Sequence, residues 1–249
     1  MTSPARRRRA PRWLLRDPSP DSAARLFCLP YSGCGASMFH RWPRFIGDLE
    51  ICPVQPPGRE NRIREPAPAT YQDLAGALIP TLRPHLDRPF GFFGHCGSAL
   101  AAYEVAAQLV AACGPIPRCV VVSSEVAPQD GPYGRFLSMN RAELTVEMAA
   151  IVRHLGGTPV PDLLDLAVTT LATDVAANAA YVVPDPTRLP GRVLALSWTD
   201  DADVRPEQMK GWDRCGDTRF VTLPGGHFTF LDPPDVLRDV LLTELLAPS

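Results

Sequence analysis

The feature that most constrains the fold is a short segment near the middle of the chain. Residues 89–93 are apolar and predict a buried strand, and residues 99–106 are rich in alanine with helical spacing. Between them, Gly94 and Gly97 flank Cys96. Strand, tight turn and helix form the setting in which a nucleophile is held in a strained backbone conformation. Taken alone, the segment fits a glycine turn before a core helix equally well.

The central position of this turn holds a cysteine. The usual pattern is Gly-x-Ser-x-Gly, and here Cys96 takes the place of the serine while Ser98 takes that of the last glycine. We assign Cys96 as the nucleophile, because Ser98 falls in the first helical turn without flanking glycines. The start of a helix and a neighbouring histidine favour the thiolate, so we expect the pKa of Cys96 to lie below its usual value of about 8.5. A buried, inert thiol is the alternative.

The composition excludes several classes of protein. The 249 residues suffice for one large α/β domain, and the net charge of −2 does not favour a nucleic-acid partner. Apolar runs are shorter than a membrane span, and no apolar segment of a signal peptide follows Arg6-Arg7-Arg8-Arg9. The seven cysteines lack CxxC pairs and zinc spacing, which indicates a reduced cytoplasmic protein without a metal.

The chain divides into a tail and one domain. Residues 1–22 are rich in Pro, Arg and Ser and predict a disordered basic tail, which leaves residues 23–249 as a single domain. Strand and helix patterns alternate as far as residue 123, so we predict a parallel sheet with helices on both faces. Residues 129–187 contain helical patterns only, with a break at Gly156-Gly157. We predict that this segment is a helical lid over the sheet edge; a fixed packing layer is the alternative.

Two further candidates for the site follow late strands. An acidic loop, residues 200–203, comes after the strand that ends at Trp198, and Gly225-Gly226-His227 comes after the last strand. The order Cys96, acid, His227 is that of the catalytic triad in α/β hydrolases. In a parallel sheet all three lie at the carboxyl ends of their strands, where ligands bind.

From residue 26 to residue 246 the chain resembles the type II thioesterases of polyketide and nonribosomal peptide biosynthesis. The motifs that carry the resemblance are Leu29-Pro30-Tyr31-Ser32-Gly33, Ala36-Ser37-Met38-Phe39 with Trp42, Gln55-Pro56-Pro57-Gly58-Arg59-Glu60 with Arg62, Arg88-Pro89-Phe90 before Gly94-His95, Leu155-Gly156-Gly157-Thr158-Pro159, and Gly225-Gly226-His227-Phe228. The resemblance implies an α/β-hydrolase fold, with a mostly parallel central sheet flanked by helices. It implies hydrolysis of acyl thioesters on the phosphopantetheine arm of acyl or peptidyl carrier proteins.

The resemblance also guides the choice of site residues. Aligning residues 204–207 with the end of the family's acidic pattern selects Asp201 over Asp200 and Asp203. The oxyanion of the intermediate is expected to bind the backbone N–H of Gly97 and, by resemblance, that of Ser32. The departure from the family is Cys96, where the family has serine.

Three functions remain open from the sequence. The first is a thioesterase that works through a Cys96–His227–Asp201 triad and an acyl-cysteine intermediate. The second is an acyltransferase or cyclase, in which an amine, hydroxyl or carbanion receives the acyl group. The third is a noncatalytic module that binds carrier proteins. We expect a cytoplasmic monomer that needs no cofactor, contacts a carrier protein, and does not act on nucleic acids or membranes.

Overall fold

The computed structural model describes residues 13–247, which are built around a central β-sheet. Seven strands, in the order β2-β3-β1-β4-β5-β6-β7, form the sheet in this part of the chain. The strands are β1 (Ala24–Cys28), β2 (Phe45–Ile46), β3 (Leu49–Pro53), β4 (Phe90–His95), β5 (Cys119–Ser123), β6 (Arg192–Trp198) and β7 (Asp217–Leu223). Every pairing is parallel except that of β2 with β3. The mostly parallel sheet predicted from the sequence is confirmed.

Five α-helices flank the sheet within the same residues. They are α1 (Tyr71–Leu82), α2 (Gly97–Ala111), α3 (Arg141–His154), α4 (Pro161–Ala180) and α5 (Asp235–Leu246). Residues of α1 and α2 form a core on one face of the sheet, and residues of α3, α4 and α5 contribute to a core on the other. All residues of β4 and β5 are buried, because helices cover both faces. This is the α/β-hydrolase arrangement expected from the sequence.

The segment between β5 and β6 is helical, as predicted. It contains a 3-10 helix, Arg135–Ser138, followed by α3 and α4, and in the described chain it has no strand. Asn140 begins α3 with a capping box, and Pro161 stands at the first position of α4, where its missing N–H costs nothing. The bend between the helices includes Gly156, whose φ of 83° explains the glycine.

Helix α4 is apolar and long enough that, by length and composition alone, it could cross a membrane. Two acidic residues tie it instead to other parts of the protein. Asp165 forms an ion pair with Arg141 on α3, and Asp174 forms one with Arg59 in the loop after β3. In this structure helix α4 therefore packs against α3 and the loop after β3.

The N-terminal region differs from the predicted tail. Residues 1–12 lie outside the described chain, but Trp13 and Leu14 are buried. Leu14 forms an antiparallel bridge with Val54, and the guanidinium of Arg62 lies over the Trp13 ring at 4.7 Å. The prediction of disorder for residues 13–22 therefore differs from the structure. Their Pro- and Ser-rich composition concealed two apolar side chains that extend the core beside β3.

Candidate active site

Cys96 occupies the turn between β4 and α2. Its backbone has φ 56° and ψ −143°, a strained combination for a residue other than glycine. The N–H of Cys96 donates to the carbonyl of Ser123 at 2.8 Å, which ties the turn to the end of β5. A Cβ at Gly94 would lie 2.1 Å from the carbonyl oxygen of Ser98, so only glycine fits there. The turn has the geometry that the sequence predicted for a nucleophile.

Ser98 is held inside the turn. Its hydroxyl accepts a hydrogen bond from the N–H of His95 at 2.9 Å and lies 3.0 Å from the carbonyl oxygen of the same residue, to which it donates. These bonds direct the hydroxyl toward the backbone. Ser98 therefore supports the turn, as expected for a small residue at that position.

The acidic loop and the histidine meet as the sequence predicted. His227 Nδ1 lies 3.0 Å from Oδ2 and 3.2 Å from Oδ1 of Asp201, which is only 6% exposed. Asp201 Oδ1 also accepts the backbone N–H groups of Asp203 and Val204. Burial opposes ionisation of Asp201, but its hydrogen bond to His227 and the backbone N–H of Asp203 favour the carboxylate and lower its pKa well below the usual range. The ionised carboxylate places the proton of neutral His227 on Nδ1.

The other two candidate acids are placed differently. Asp200 is exposed, and its N–H donates to the carbonyl of Gly225. Asp203 Oδ2 is 3.8 Å from His227 Nδ1 and forms an ion pair with Arg135 at 3.1 Å. Ligand atoms of Asp201, Asp203 and His227 all lie within 4.8 Å of one another, a spacing that a metal ion could use. Their bonds to one another and to Arg135 already account for this grouping.

The hydroxyl of a tyrosine interacts with both the histidine and Cys96. The hydroxyl of Tyr31 is 3.4 Å from His227 Nε2, and the same hydroxyl interacts with the Cys96 thiol. Among the hydrogen bonds of residues 13–247, His227 has none to Cys96 directly. The sequence analysis used Tyr31 only as part of a motif. Its position directly after Pro30, where the first strand pattern ends, was the available signal that it faces the site.

The pKa of Cys96 shifts in the direction opposite to the one predicted from the sequence. Burial raises the pKa of the thiol well above its usual value, and the carboxylate of Glu125 raises it further. The N–H of Gly97 and the hydroxyl of Tyr31 act in the other direction but are weaker. The prediction of a lowered pKa assumed that a positive charge would dominate, whereas burial has the largest effect on the thiol.

The two residues predicted to bind the oxyanion are neighbours. The N–H of Gly97 points toward the Cys96 sulfur, and a methyl group added at Gly97 would lie 3.2 Å from Ser32 Oγ. The loop that carries Ser32 is anchored to α4. Asp174 accepts the N–H of Gly33 at 2.8 Å and both Nη atoms of Arg59 at 2.9 Å. This buried ion pair connects the helical segment to the loop beside the nucleophile.

His95 is a packing residue, as the sequence analysis expected for the position before the nucleophile. Its Nδ1 is 2.8 Å from Ser123 Oγ, and its ring stacks on Phe230 at 3.9 Å. Burial lowers its pKa well below the usual value, so the ring is neutral. The His227 ring lies 4.5 Å away in an edge-to-face contact, and His95 thereby supports its position.

A cavity of about 420 Å³ opens between the loop after β1 and the helices α3 and α4. Its walls are mostly apolar and include Met38, Ile151 and Leu164. Gly33 and Cys34, which directly follow Ser32, line the cavity, and Cys96 does not. Its volume is sufficient for a flexible apolar chain. The sequence analysis did not identify this cavity.

Known proteins match the chain in both sequence and structure. The Thioesterase domain family matches residues 24–241. The chain is 34% identical over 252 residues to the AMB antimetabolite synthetase AmbE of Pseudomonas aeruginosa, covering 99% of this chain and 12% of AmbE. It is 32% identical to a probable cadicidin biosynthesis thioesterase of Streptomyces griseus, covering 88% of this chain and 62% of that protein.

A solved structure agrees with these relatives. The RedJ thioesterase from the prodiginine biosynthetic pathway of Streptomyces coelicolor is 32% identical, with a TM-score of 0.75, and the match covers 90% of this chain and 87% of RedJ. The chain thus spans less than two thirds of the length of the two relatives above and most of the length of RedJ. The family match extends from β1 into α5 and includes every residue of the site described above, and the chain belongs to the thioesterase domain family.

Proposed function

We propose that the protein is a type II thioesterase that hydrolyses acyl groups carried on phosphopantetheine in polyketide or nonribosomal peptide biosynthesis. The observation that carries the proposal is the strained Cys96 turn at the same sheet edge as the buried Asp201–His227 pair. Membership of the thioesterase domain family and the biosynthetic relatives support it. The partner is then an acyl or peptidyl carrier protein. We expect a cytoplasmic monomer that requires neither cofactor nor metal.

In the proposed reaction the Cys96 thiol attacks the thioester carbonyl. Its proton passes through the Tyr31 hydroxyl to Nε2 of His227, and Asp201 stabilises the resulting imidazolium. The backbone N–H groups of Gly97 and Ser32 bind the oxyanion. Collapse of the intermediate breaks the bond to the pantetheine sulfur, which takes a proton from His227. The free pantetheine thiol leaves. Water then attacks the carbonyl of acyl-Cys96 and gives a proton to His227; the bond to the Cys96 sulfur breaks, the sulfur takes that proton, and the acid is released.

Acyl transfer or cyclisation is the second candidate, and the observation that favours it is the cysteine itself. Transfer from pantetheine to Cys96 exchanges one thioester for another, so the acyl group stays activated. Thioesters favour amines and carbanions over water more than oxygen esters do. With Cys96→Ser, a transferase would retain acylation and shift its products toward free acid, or stall as a stable ester. A hydrolase would form the same product with either nucleophile.

We further propose that the helical segment of residues 129–187 is a mobile lid over the cavity and that the cavity receives the acyl chain. The segment covers the cavity through α3 and α4, and Asp174 of α4 joins it to the loop beside Ser32 through Arg59 and the N–H of Gly33. Hydrogen exchange in α3 and α4 should be faster than in α2 and should slow when Cys96 is acylated. Equal, slow exchange in all three helices would indicate a fixed layer.

The hydrolase proposal is tested with acyl-pantetheine thioesters and release of free thiol as the readout. The wild type should turn over and release free acid, whereas Cys96→Ala and His227→Ala should have no turnover above background while remaining folded. Cys34→Ala is the matched control, because Cys34 is a second buried thiol close to Ser32. Wild-type rates in folded Cys96→Ala and His227→Ala proteins would remove the catalytic interpretation. Acyl-enzyme that accumulates until an amine is added would favour the transferase.

A further inference from the structure

The loop after β1 connects the cavity to the turn that carries the nucleophile. Ser32 packs on that turn, because its Oγ would lie 3.2 Å from a methyl group placed on Gly97. The next residue, Gly33, lines the cavity, whereas Cys96 does not. Through these contacts Gly33 joins the wall of the cavity to the Cys96 turn.

The end of one long side chain lies directly against Gly33. A methyl group added to Gly33 would come within 2.2 Å of Met148 Cε and 3.0 Å of Leu171 Cβ, so both side chains pack on the glycine. Met148 lines the cavity and is nevertheless only 1% exposed. It also belongs to the buried apolar cluster on which Cys96 packs. Met148 is therefore shared between the cavity and the apolar surroundings of the nucleophile.

Met148 stands at one end of the apolar stripe that α3 and the residue after it contribute to the cavity. Met148, Ile151, Val152 and Leu155 all line the cavity, with the i, i+3, i+4, i+7 spacing of one helix face. A rise of 1.5 Å per residue makes this stripe about 10 Å long. An extended octanoyl chain is of similar length. A chain that passed Gly33 would therefore follow the stripe as far as Leu155.

Two methionines line the cavity, and they differ in how they are held. Met38 Sδ accepts the N–H of Tyr31 at 3.0 Å, which fixes that side chain. Among the hydrogen bonds of residues 13–247, the sulfur of Met148 takes part in none. An unbranched side chain with three rotatable bonds adapts to several shapes at small cost. The Met148 side chain can therefore turn away from Gly33 while α3 stays in place.

We infer that Met148 is a gate between the Cys96 site and the cavity, and that it determines how the enzyme discriminates between acyl chains of different length. This inference rests on the proposed thioesterase function and names a specificity-determining residue for it. An acetyl group stays on the Cys96 side of the gate and leaves Met148 in place. A longer chain has to displace the side chain from Gly33 before it enters the cavity, at a cost in free energy that acetyl does not incur.

The test compares acetyl-, octanoyl- and decanoyl-pantetheine. The octanoyl-to-acetyl ratio of kcat/KM measures the cost of passing the gate. Met148→Ala should raise this ratio by about tenfold, as expected when an open state populated about 10% of the time becomes the only one. Met148→Leu should raise it by less and is the milder change for the core. The decanoyl-to-octanoyl ratio should stay the same, because both chains pass the gate.

Met209→Ala is the matched control for the loss of a buried methionine. Met209 is also 1% exposed, but it belongs to the core on the opposite face of the sheet. Its octanoyl-to-acetyl ratio should equal that of the wild type. The same increase in Met209→Ala as in Met148→Ala would assign the effect to lost stability and overturn the gate. Melting curves identify the folded variants.

The remaining outcomes separate the two proposals. If the wild type hydrolyses none of the three substrates, the thioesterase proposal fails and the gate with it. If they are hydrolysed but the octanoyl-to-acetyl ratio is unchanged in folded Met148→Ala or Met148→Leu, the gate is wrong and the thioesterase proposal stands. A higher decanoyl-to-octanoyl ratio in Met148→Ala would mean that Met148 limits the depth of the cavity, which also overturns the gate.

Discussion

The two sides of Cys96 differ in how completely their polar groups are paired. On one side, Asp201 accepts His227 and two backbone N–H groups, and Asp203 pairs with Arg135. On the other side, Tyr71 Oη and Asn178 Oδ1 have no partner in the described chain. The paired side is fixed before any substrate arrives. The other side retains buried polar atoms that no side chain or backbone group of residues 13–247 pairs.

This difference separates two tasks of an active site. Groups that transfer protons must be oriented in advance, because reorganisation during the reaction raises the barrier. Groups that recognise a substrate can remain unpaired at a cost in stability that binding later recovers. In the sequence, Asp201 and His227 each follow a strand. The unpaired groups come instead from the start of α1 and the last turn of α4, which are far apart in the sequence. The following substitutions test each side in turn.

The largest effect is expected from the paired side. Asp201→Asn should lower kcat by about 10⁴-fold, because an asparagine does not hold His227 in the required tautomer. Asp203→Asn is the matched control and should cost far less, since its closest oxygen is 3.8 Å from Nδ1. Steady-state kinetics with one acyl-pantetheine substrate gives the comparison. A greater loss in Asp203→Asn than in Asp201→Asn would mean that the acid has been misassigned.

The ion pair between α4 and the loop after β3 should be important for stability. Arg59→Ala leaves the carboxylate of Asp174 without its buried partner and should lower the free energy of unfolding by about 3 kcal/mol. Arg141→Ala breaks an exposed pair with Asp165 and should change it by less than about 0.5 kcal/mol. Chemical denaturation measures both. Equal effects of the two substitutions would show that the anchor of α4 does not depend on this pair.

The buried carboxyl group of Glu125 should make the free energy of unfolding depend on pH. Burial raises the pKa of Glu125 to about 8 in the folded protein, so the folded state retains a proton that the unfolded state releases above about pH 4.5. The contribution of Glu125 to stability is therefore complete at low pH and is lost as the pH rises toward 8. Glu125→Gln should remove about 3 kcal/mol of this decline between about pH 5 and about pH 8. Denaturation curves at about pH 5 and about pH 8 test it, and parallel declines in both proteins would contradict the assignment.

The smallest effect is expected at Tyr31, whose hydroxyl interacts with both His227 and Cys96. Tyr31→Phe removes the hydroxyl between His227 and Cys96 and should lower kcat by about tenfold with little change in KM, because it interrupts proton transfer. The aromatic contacts of the ring with His227 and Phe136 are retained. An unchanged or higher kcat would mean that the hydroxyl blocks the histidine and does not relay its proton.

Much of this arrangement was accessible from the sequence. The strand-turn-helix around Cys96 and the order of Cys96, acid and His227 predicted which residues the sheet edge would bring together. The apolar spacing of residues 144–155 and 163–181 predicted α3 and α4 to within a few residues. These predictions succeeded because each depends on local periodicity or on the rule that parallel strands end at one edge.

Other features depend on contacts between distant parts of the chain. The two unpaired atoms belong to Tyr71 and Asn178, which are more than a hundred residues apart and lie within ordinary amphipathic helices. The pKa of Cys96 was predicted with the wrong sign, because the sequence gives no measure of burial or of the approach of Glu125. Trp13 was missed because its neighbours have the composition of a disordered segment.

The identity of the nucleophile is the central claim, and mass spectrometry of the acylated protein tests it most directly. The protein is mixed with an acyl-pantetheine, quenched in acid during the first turnover and digested. We predict one acyl group on the peptide that contains Cys96, and none on that peptide in Cys96→Ala. An acyl group on Ser98 or on Cys34, or turnover without any acylated peptide, would contradict the account.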